Sequence, residues 1–167
     1  MKNLISILSL VFLAFSQISA QDFVAIGKNG NVYDEANTKY ITVNQNNDNV
    51  TVMPGMVFAT SKHIPGWYMI EYSPGLHAYI QEQITTGNFK SIQPGSYELA
   101  NLPGHKLIVN NSGNNWTATI DGQTFQGATF QEIIVFKDIN NNVVYSLVDL
   151  GNGPIAISYN NDVTKFF

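Results

Sequence analysis

Apolar positions along this chain either alternate with polar ones or run in short blocks, and Gly, Pro and Asn interrupt them at intervals of roughly eight to twelve residues. That is the pattern of short antiparallel strands, and no stretch keeps a helical period for long. Strands are predicted in the first half at 23–26, 31–34, 40–43, 49–53, 56–60, 67–72 and 76–81. The second half predicts strands at 97–102, 106–110, 116–121, 123–130, 132–139, 143–150 and 155–159, the last closing a meander of six or seven strands. Asp121-Gly122 marks a tight two-residue hairpin, and short connections without a crossover imply antiparallel pairing throughout. In WTATID, Trp116, Ala118 and Ile120 share one face and Thr117, Thr119 and Asp121 the other, as in a strand wet on one side. IIVF (133–136) and VVYSLVDL (143–150) are apolar on both faces. Such strands need a second cover: the first half of the chain, a barrel interior, a partner chain or a ligand. Packing within the chain ranks first.

The predicted organisation is a signal peptide over 1–20, a first domain over 21–87, a linker over 88–95 and an antiparallel β domain over 96–167. Lys2 begins the leader, Leu4–Phe15 is apolar but too short to span a bilayer comfortably, and Ile18 and Ala20 fit a small-residue cleavage site. No other segment is long and apolar enough to cross a membrane, so export to the periplasm or the extracellular space is expected. Polarity rises over TTGNFKSIQPGS (85–96), which is where the boundary falls.

Composition narrows the chemistry. The chain has 167 residues, no cysteine and a formal charge of −4. Without cysteine there is no thiol nucleophile, disulfide framework or thiolate zinc site, and the fold must hold by its core alone. With no arginine and an excess of acidic residues, nucleic acid is not expected as a partner, because phosphate neutralisation dominates that affinity. Asn-rich stretches at 44–49, 110–115, 138–142 and 159–162 read as hairpin connections, since Asn tolerates left-handed backbone and caps turns.

Histidines 63, 77 and 105 lack the spacing that places metal ligands on one element. No G-x-S-x-G elbow, H-E-x-x-H pair or glycine-rich phosphate loop occurs. Asp138, Asn140, Asn142 and Asp149 mimic a calcium loop, but Val143 stands where that loop turns on glycine, so a hairpin is the better reading. Asp34-Glu35 reads as a solvated turn rather than a catalytic pair. The sequence therefore predicts no catalytic residue, no metal and no cofactor.

MPGMVFAT (53–60), PGWYMIEY (65–72) and LHAYIQEQ (76–83) together resemble the bacterial SH3-like (SH3b) family over residues 22–87. Tyr79 occupies the family's aromatic position, and Ala78 stands where glycine is usual. The arginine-serine-glycine-proline signature is replaced by YDEANTKYITV (33–43). The resemblance implies a small SH3-like barrel that contacts cell-wall peptide or a protein partner through a groove and an exposed aromatic. With Ile70 matching the family's buried valine, Tyr68 and Tyr72 fall on the core face of the strand. Ala78 and Ile80 point inward, leaving His77 and Tyr79 outside, and Trp67 is expected over a barrel end. The candidate ligand-binding residues are Tyr79, Trp67, Tyr33 and His77.

The fold expected is thus all-β, an SH3-like small barrel followed by an antiparallel β-meander forming a small sheet or barrel. The leading functional expectation is a non-catalytic exported binding or scaffolding protein. The alternative is a carrier or sensor of a small apolar ligand housed in the second half, whose outline is similar to small lipocalin-like barrels. A homodimer through the second half is the third reading of its two-faced strands.

Overall fold

A computed structural model of the chain describes residues 22–73, 75–98, 104–137, 143–151, 155–159 and 162–166. The leader read at 1–20 and residues 138–142 of the calcium-like stretch lie outside the described residues. The chain is all-β. A small sheet forms from β1 (Asp22–Ala25), β4 (Val57–Ile64), β5 (Trp67–Ser73) and β6 (Leu76–Gln81), in that order, and the short β2 (Gly30–Asn31) and β3 (Thr51–Val52) pair beside it. A short 3₁₀ turn, Glu82–Ile84, then leads out of the first half.

The second half is one curled eight-stranded sheet. Its strands are β7 (Gly95–Glu98), β8 (Lys106–Ser112), β9 (Asn115–Ile120), β10 (Gln123–Phe130), β11 (Ile133–Lys137), β12 (Val143–Asp149), β13 (Ile155–Tyr159) and β14 (Asp162–Phe166), each hydrogen-bonded to the next. All the pairings are antiparallel. The β9–β10 hairpin turns on Asp121 and Gly122, both at positive φ (48° and 83°), as the Asp-Gly dipeptide requires.

The expectation of six or seven strands falls short of the eight found. The missing one is β14, whose five residues pair with all of β13 across the Asn-rich connection at 159–162. A short mixed sequence carries little strand signal; the neighbouring strand supplies the template. The strand expected at 40–43 is reduced to isolated bridges at Ile41 and Val43. There the Asn44 side-chain oxygen accepts from the amides of Asn46 and Asp48 (2.9 and 3.0 Å), and Asn47 takes φ 64°. The side chain thereby competes with the ladder for backbone donors.

Alternation decides where the cores lie. Val24, Phe58, Ile70, Ala78 and Ile80 form the interior of the first half, with Tyr68 and Tyr72 packed against them. The inner face of the curled sheet buries Leu107, Val109, Ala118, Ile134, Phe136, Leu147, Ile155 and Ile157. Gly127 lies opposite Phe136 on β11, and a Cβ at Gly127 would come 2.6 Å from the Phe136 ring. The ring lies flat over the glycine, which lets the sheet curl tightly there.

The outer face of β11 and β12 answers the question posed by their doubly apolar sequence. Ile133, Val135 and Val148 pack on Ala25 and Val57 of the first half, with Phe23, Phe89, Phe130 and Leu150 around them. Phe23 and Phe130 meet at 4.8 Å between ring centroids, across the junction of the halves. Burying each of these aliphatic side chains contributes about 1.5–3 kcal/mol, so the second cover is the chain's own first half.

The connection at 88–95 is part of that junction. The Lys90 amide donates to the Asp149 carbonyl (3.1 Å), Ile92 is buried in the curled sheet's core, and β7 already begins at Gly95.

Candidate functional site

The outer face of the small sheet looks away from its core, and strand register says which side chains share it. On β5 they are Trp67, Met69 and Glu71; on β6 their partners are Gln81, Tyr79 and His77. Tyr33 then joins the free edge of β6. Its amide donates to the Tyr79 carbonyl (2.9 Å) and the Tyr79 amide donates back to the Tyr33 carbonyl (2.8 Å). Such a doubly bonded pair puts both side chains on the same face.

Trp67 and Tyr33 therefore flank β6 from opposite sides, and the Trp67 ring spans its width to meet Tyr33 edge-on at 5.2 Å. Adjacent strands are about 4.8 Å apart, so two intervals separate the backbones that this contact bridges. Tyr33 is only 6% exposed, whereas Trp67 and Tyr79 are half-buried. Three of the sequence-predicted residues thus come together with distinct parts. Tyr33 props the indole, while Trp67 and Tyr79 present surface. The tryptophan stands on the sheet face rather than over the end of the barrel.

His77 lies on the same face but at its other end, opposite Glu71. Both line a cleft of about 1110 Å³ between the two halves of the chain. One wall of the cleft is the outer side of β1 and β4, the other is the β10–β11 turn and β11, and Thr85 and Phe89 lie in the connection between them. Its depth is apolar (Phe23, Ala25, Phe89, Phe130, Ile133) and its rim carries Asp22, Lys62, Glu71, Glu132 and Lys137. No single segment of sequence signals this cleft, because its walls come from residues 22–25 and 59–63 on one side and 130–133 and 137 on the other.

A β-bulge decides one of the rim residues. The β4–β5 register shifts between Thr60 and Lys62, so Thr60 faces Ile70 while Lys62 faces Met69. The extra residue, Ser61, turns Lys62 from the core side to the cleft side. Without it, alternation along VFATSKHI would aim this lysine inward.

Several other polar groups are occupied locally. His63 stacks on Tyr68 at 4.5 Å, with its Nε2 3.4 Å from a Glu82 oxygen. The Nδ1 of His105 is 3.2 Å from Asp121 at the β9–β10 hairpin. Glu71 accepts from the Gly75 amide (2.8 Å), which ties it to the β5–β6 turn. Asp34, read with Glu35 as a turn, accepts from the Thr42 hydroxyl at 2.7 Å. Asp149 caps the chain reversal after β12 by accepting from the Gly151 amide (2.7 Å). Among the described residues, no three of His, Asp and Glu gather in a way that would hold a metal ion.

Tyr97 donates its hydroxyl proton to the Gln93 carbonyl (2.6 Å). Burial first, then the Asp149 carboxylate, holds the Tyr97 phenol above the ordinary tyrosine range. A phenol that resists ionisation in the fold leaves stability unchanged at neutral pH and lowers it only as pH rises past the ordinary value of about 10. This shift has a structural cause.

Compared with models of known protein families, with curated proteins and with solved structures, the chain matches none.

Proposed function

We propose that this is an exported, non-catalytic binding or scaffolding protein, and that its SH3-like first half contacts a peptide through the outer face of β5 and β6. Cell-wall peptide and a segment of a protein partner share the required chemistry, a short extended chain with apolar side chains. The observation that carries this reading is the Tyr33–Tyr79 backbone pairing, which gathers Tyr33, Trp67 and Tyr79 on one face. A supported indole beside a half-buried phenol offers large contact area with little rotamer entropy to lose, and aromatics of this kind dominate the energetics of interfaces.

The alternative of an apolar-ligand carrier rested on the two-faced strands at 133–136 and 143–150. Their outer face is covered by Ala25 and Val57, and on the inner face Phe136 and Leu147 are wholly buried among their neighbours. The motive for that reading, and for a dimer through the same strands, is therefore met by packing within the chain.

The test is co-sedimentation of the secreted chain with purified cell-wall sacculi, alongside pull-down from an envelope extract. Tyr79→Ala removes the phenol and keeps the backbone pairing with Tyr33, so its thermal midpoint should stay close to that of the parent. Retention is expected to fall at least tenfold, a loss of about 1.4 kcal/mol. Undiminished retention by Tyr79→Ala and Trp67→Ala, both folded, would remove the site. Capture by neither material would remove the binding reading itself.

A further inference from the structure

The cleft between the halves holds charges that the fold does not use. Lys62 and Lys137 line it, one from each half, and among the described residues neither ammonium has a carboxylate within ion-pairing distance. The β4 bulge brings Lys62 to this face. Lys137 follows Ile133 and Val135 on the outer side of β11, the side that meets the first half. Asp22 and Glu132 stand at the same rim with no ion-pair partner among the described residues. Glu71 differs, because the β5–β6 turn occupies its carboxylate.

Beneath these charges the cleft is aromatic. Phe23 and Phe130 close it in a tilted pair at 4.8 Å, with Phe89 beside them. A volume of about 1110 Å³ lies just above the range of roughly 300–1,000 Å³ usual for small-ligand sites, which combine an apolar lining with a few placed polar groups. Two solvated lysines on a bare surface would signify little. Two unpaired cations and two unpaired carboxylates around one aromatic-floored cleft describe a ligand with both charges and an apolar body.

We propose that this cleft is a second binding site, adjoining the Trp67–Tyr79 face at Glu71 and His77, and that it takes a small zwitterion with apolar side chains: a short free peptide or an apolar amino acid. The ligand carboxylate pairs with Lys62 and Lys137, its ammonium with Asp22 and Glu132, and its side chains lie over Phe23, Phe89 and Phe130. Each charge of such a ligand finds a group that is at present only solvated, so no internal ion pair is broken on binding.

Titration calorimetry on the whole secreted chain tests this with the tripeptide Phe-Ala-Phe in three forms: free at both ends, C-amidated, and both N-acetylated and C-amidated. The free form should bind, the amidated form at least tenfold more weakly, and the doubly blocked form more weakly still. The double variant Lys62→Gln, Lys137→Gln should bring the free form down to the level of the amidated one with the thermal midpoint unchanged. Tyr79→Ala should leave the ratio of free to amidated affinity as it is, which keeps the outcome distinct from that of the peptide-face reading. Absence of heat from the free tripeptide at millimolar concentration overturns the proposal. So does equal affinity for free and doubly blocked forms, or a lysine double variant that binds like the parent.

Discussion

Gly151→Ala should destabilise the protein by about 3 kcal/mol, far more than alanine ordinarily costs in a turn. Gly151 has φ +76°, and a Cβ there would collide with the Asn88 carbonyl oxygen and lie 3.2 Å from its carbon. Left-handed backbone costs a non-glycine residue roughly 1–2 kcal/mol, and overpacking against a backbone that cannot swing aside adds about 1–3 kcal/mol. Asn88 has little room to retreat, since two residues on Lys90 is bonded to the Asp149 carbonyl and Phe89 between them is packed into the junction of the halves. Gly27 presses on the same connection from the first half, where a Cβ would collide with the Thr86 carbonyl and stand 2.9 Å from the Gly87 nitrogen.

Gly122→Ala is the control. It has φ +83° but nothing within 4 Å of its added Cβ, so it should lose only the backbone part, about 1 kcal/mol. Urea unfolding of the two variants separates the effects. For a chain of this size, about 3 kcal/mol lowers Tm by roughly 6–12 °C. Equal midpoints for Gly151→Ala and Gly122→Ala would mean that the connection is not clamped between the halves as described.

The second large effect is expected from Phe136→Ala, at about 3–5 kcal/mol, a substantial fraction of a total stability of about 5–15 kcal/mol. Phe136 is wholly buried on the inner face of the curled sheet, and its ring fills the space above Gly127. The pair should be non-additive. Gly127→Ala alone forces a methyl to 2.6 Å from the ring and should cost about 1–3 kcal/mol, whereas in the Phe136→Ala background the same methyl partly fills the cavity. A double-mutant cycle reads this as coupling. Simple additivity would show that the ring does not rest on the glycine.

Much of this architecture is legible from local pattern, and the reason is physical. Strand alternation is a property of a few consecutive residues, so LHAYIQ places Ala78 and Ile80 inside and His77 and Tyr79 outside, as found. Asp121-Gly122 specifies its turn because the backbone conformation is decided within two residues. The double-sided apolarity of β11 and β12 likewise states that something covers them. These features are local, and the sequence by itself determined them.

What covers those strands, what meets Trp67 and where the cleft lies depend on parts far apart in the chain. Tyr33 reaches Trp67 only because its backbone adds to the edge of β6, and an isolated pair of hydrogen bonds leaves no periodic trace. Lys62 faces the cleft because Ser61 bulges, which the alternation of VFATSKHI would argue against. Phe23 and Phe130 meet because the two sheets dock through Ala25, Val57 and Val135. Local sequence determines which face of each strand is apolar. Only docking in three dimensions decides which apolar faces meet, and the charges left around that junction follow from the same choice.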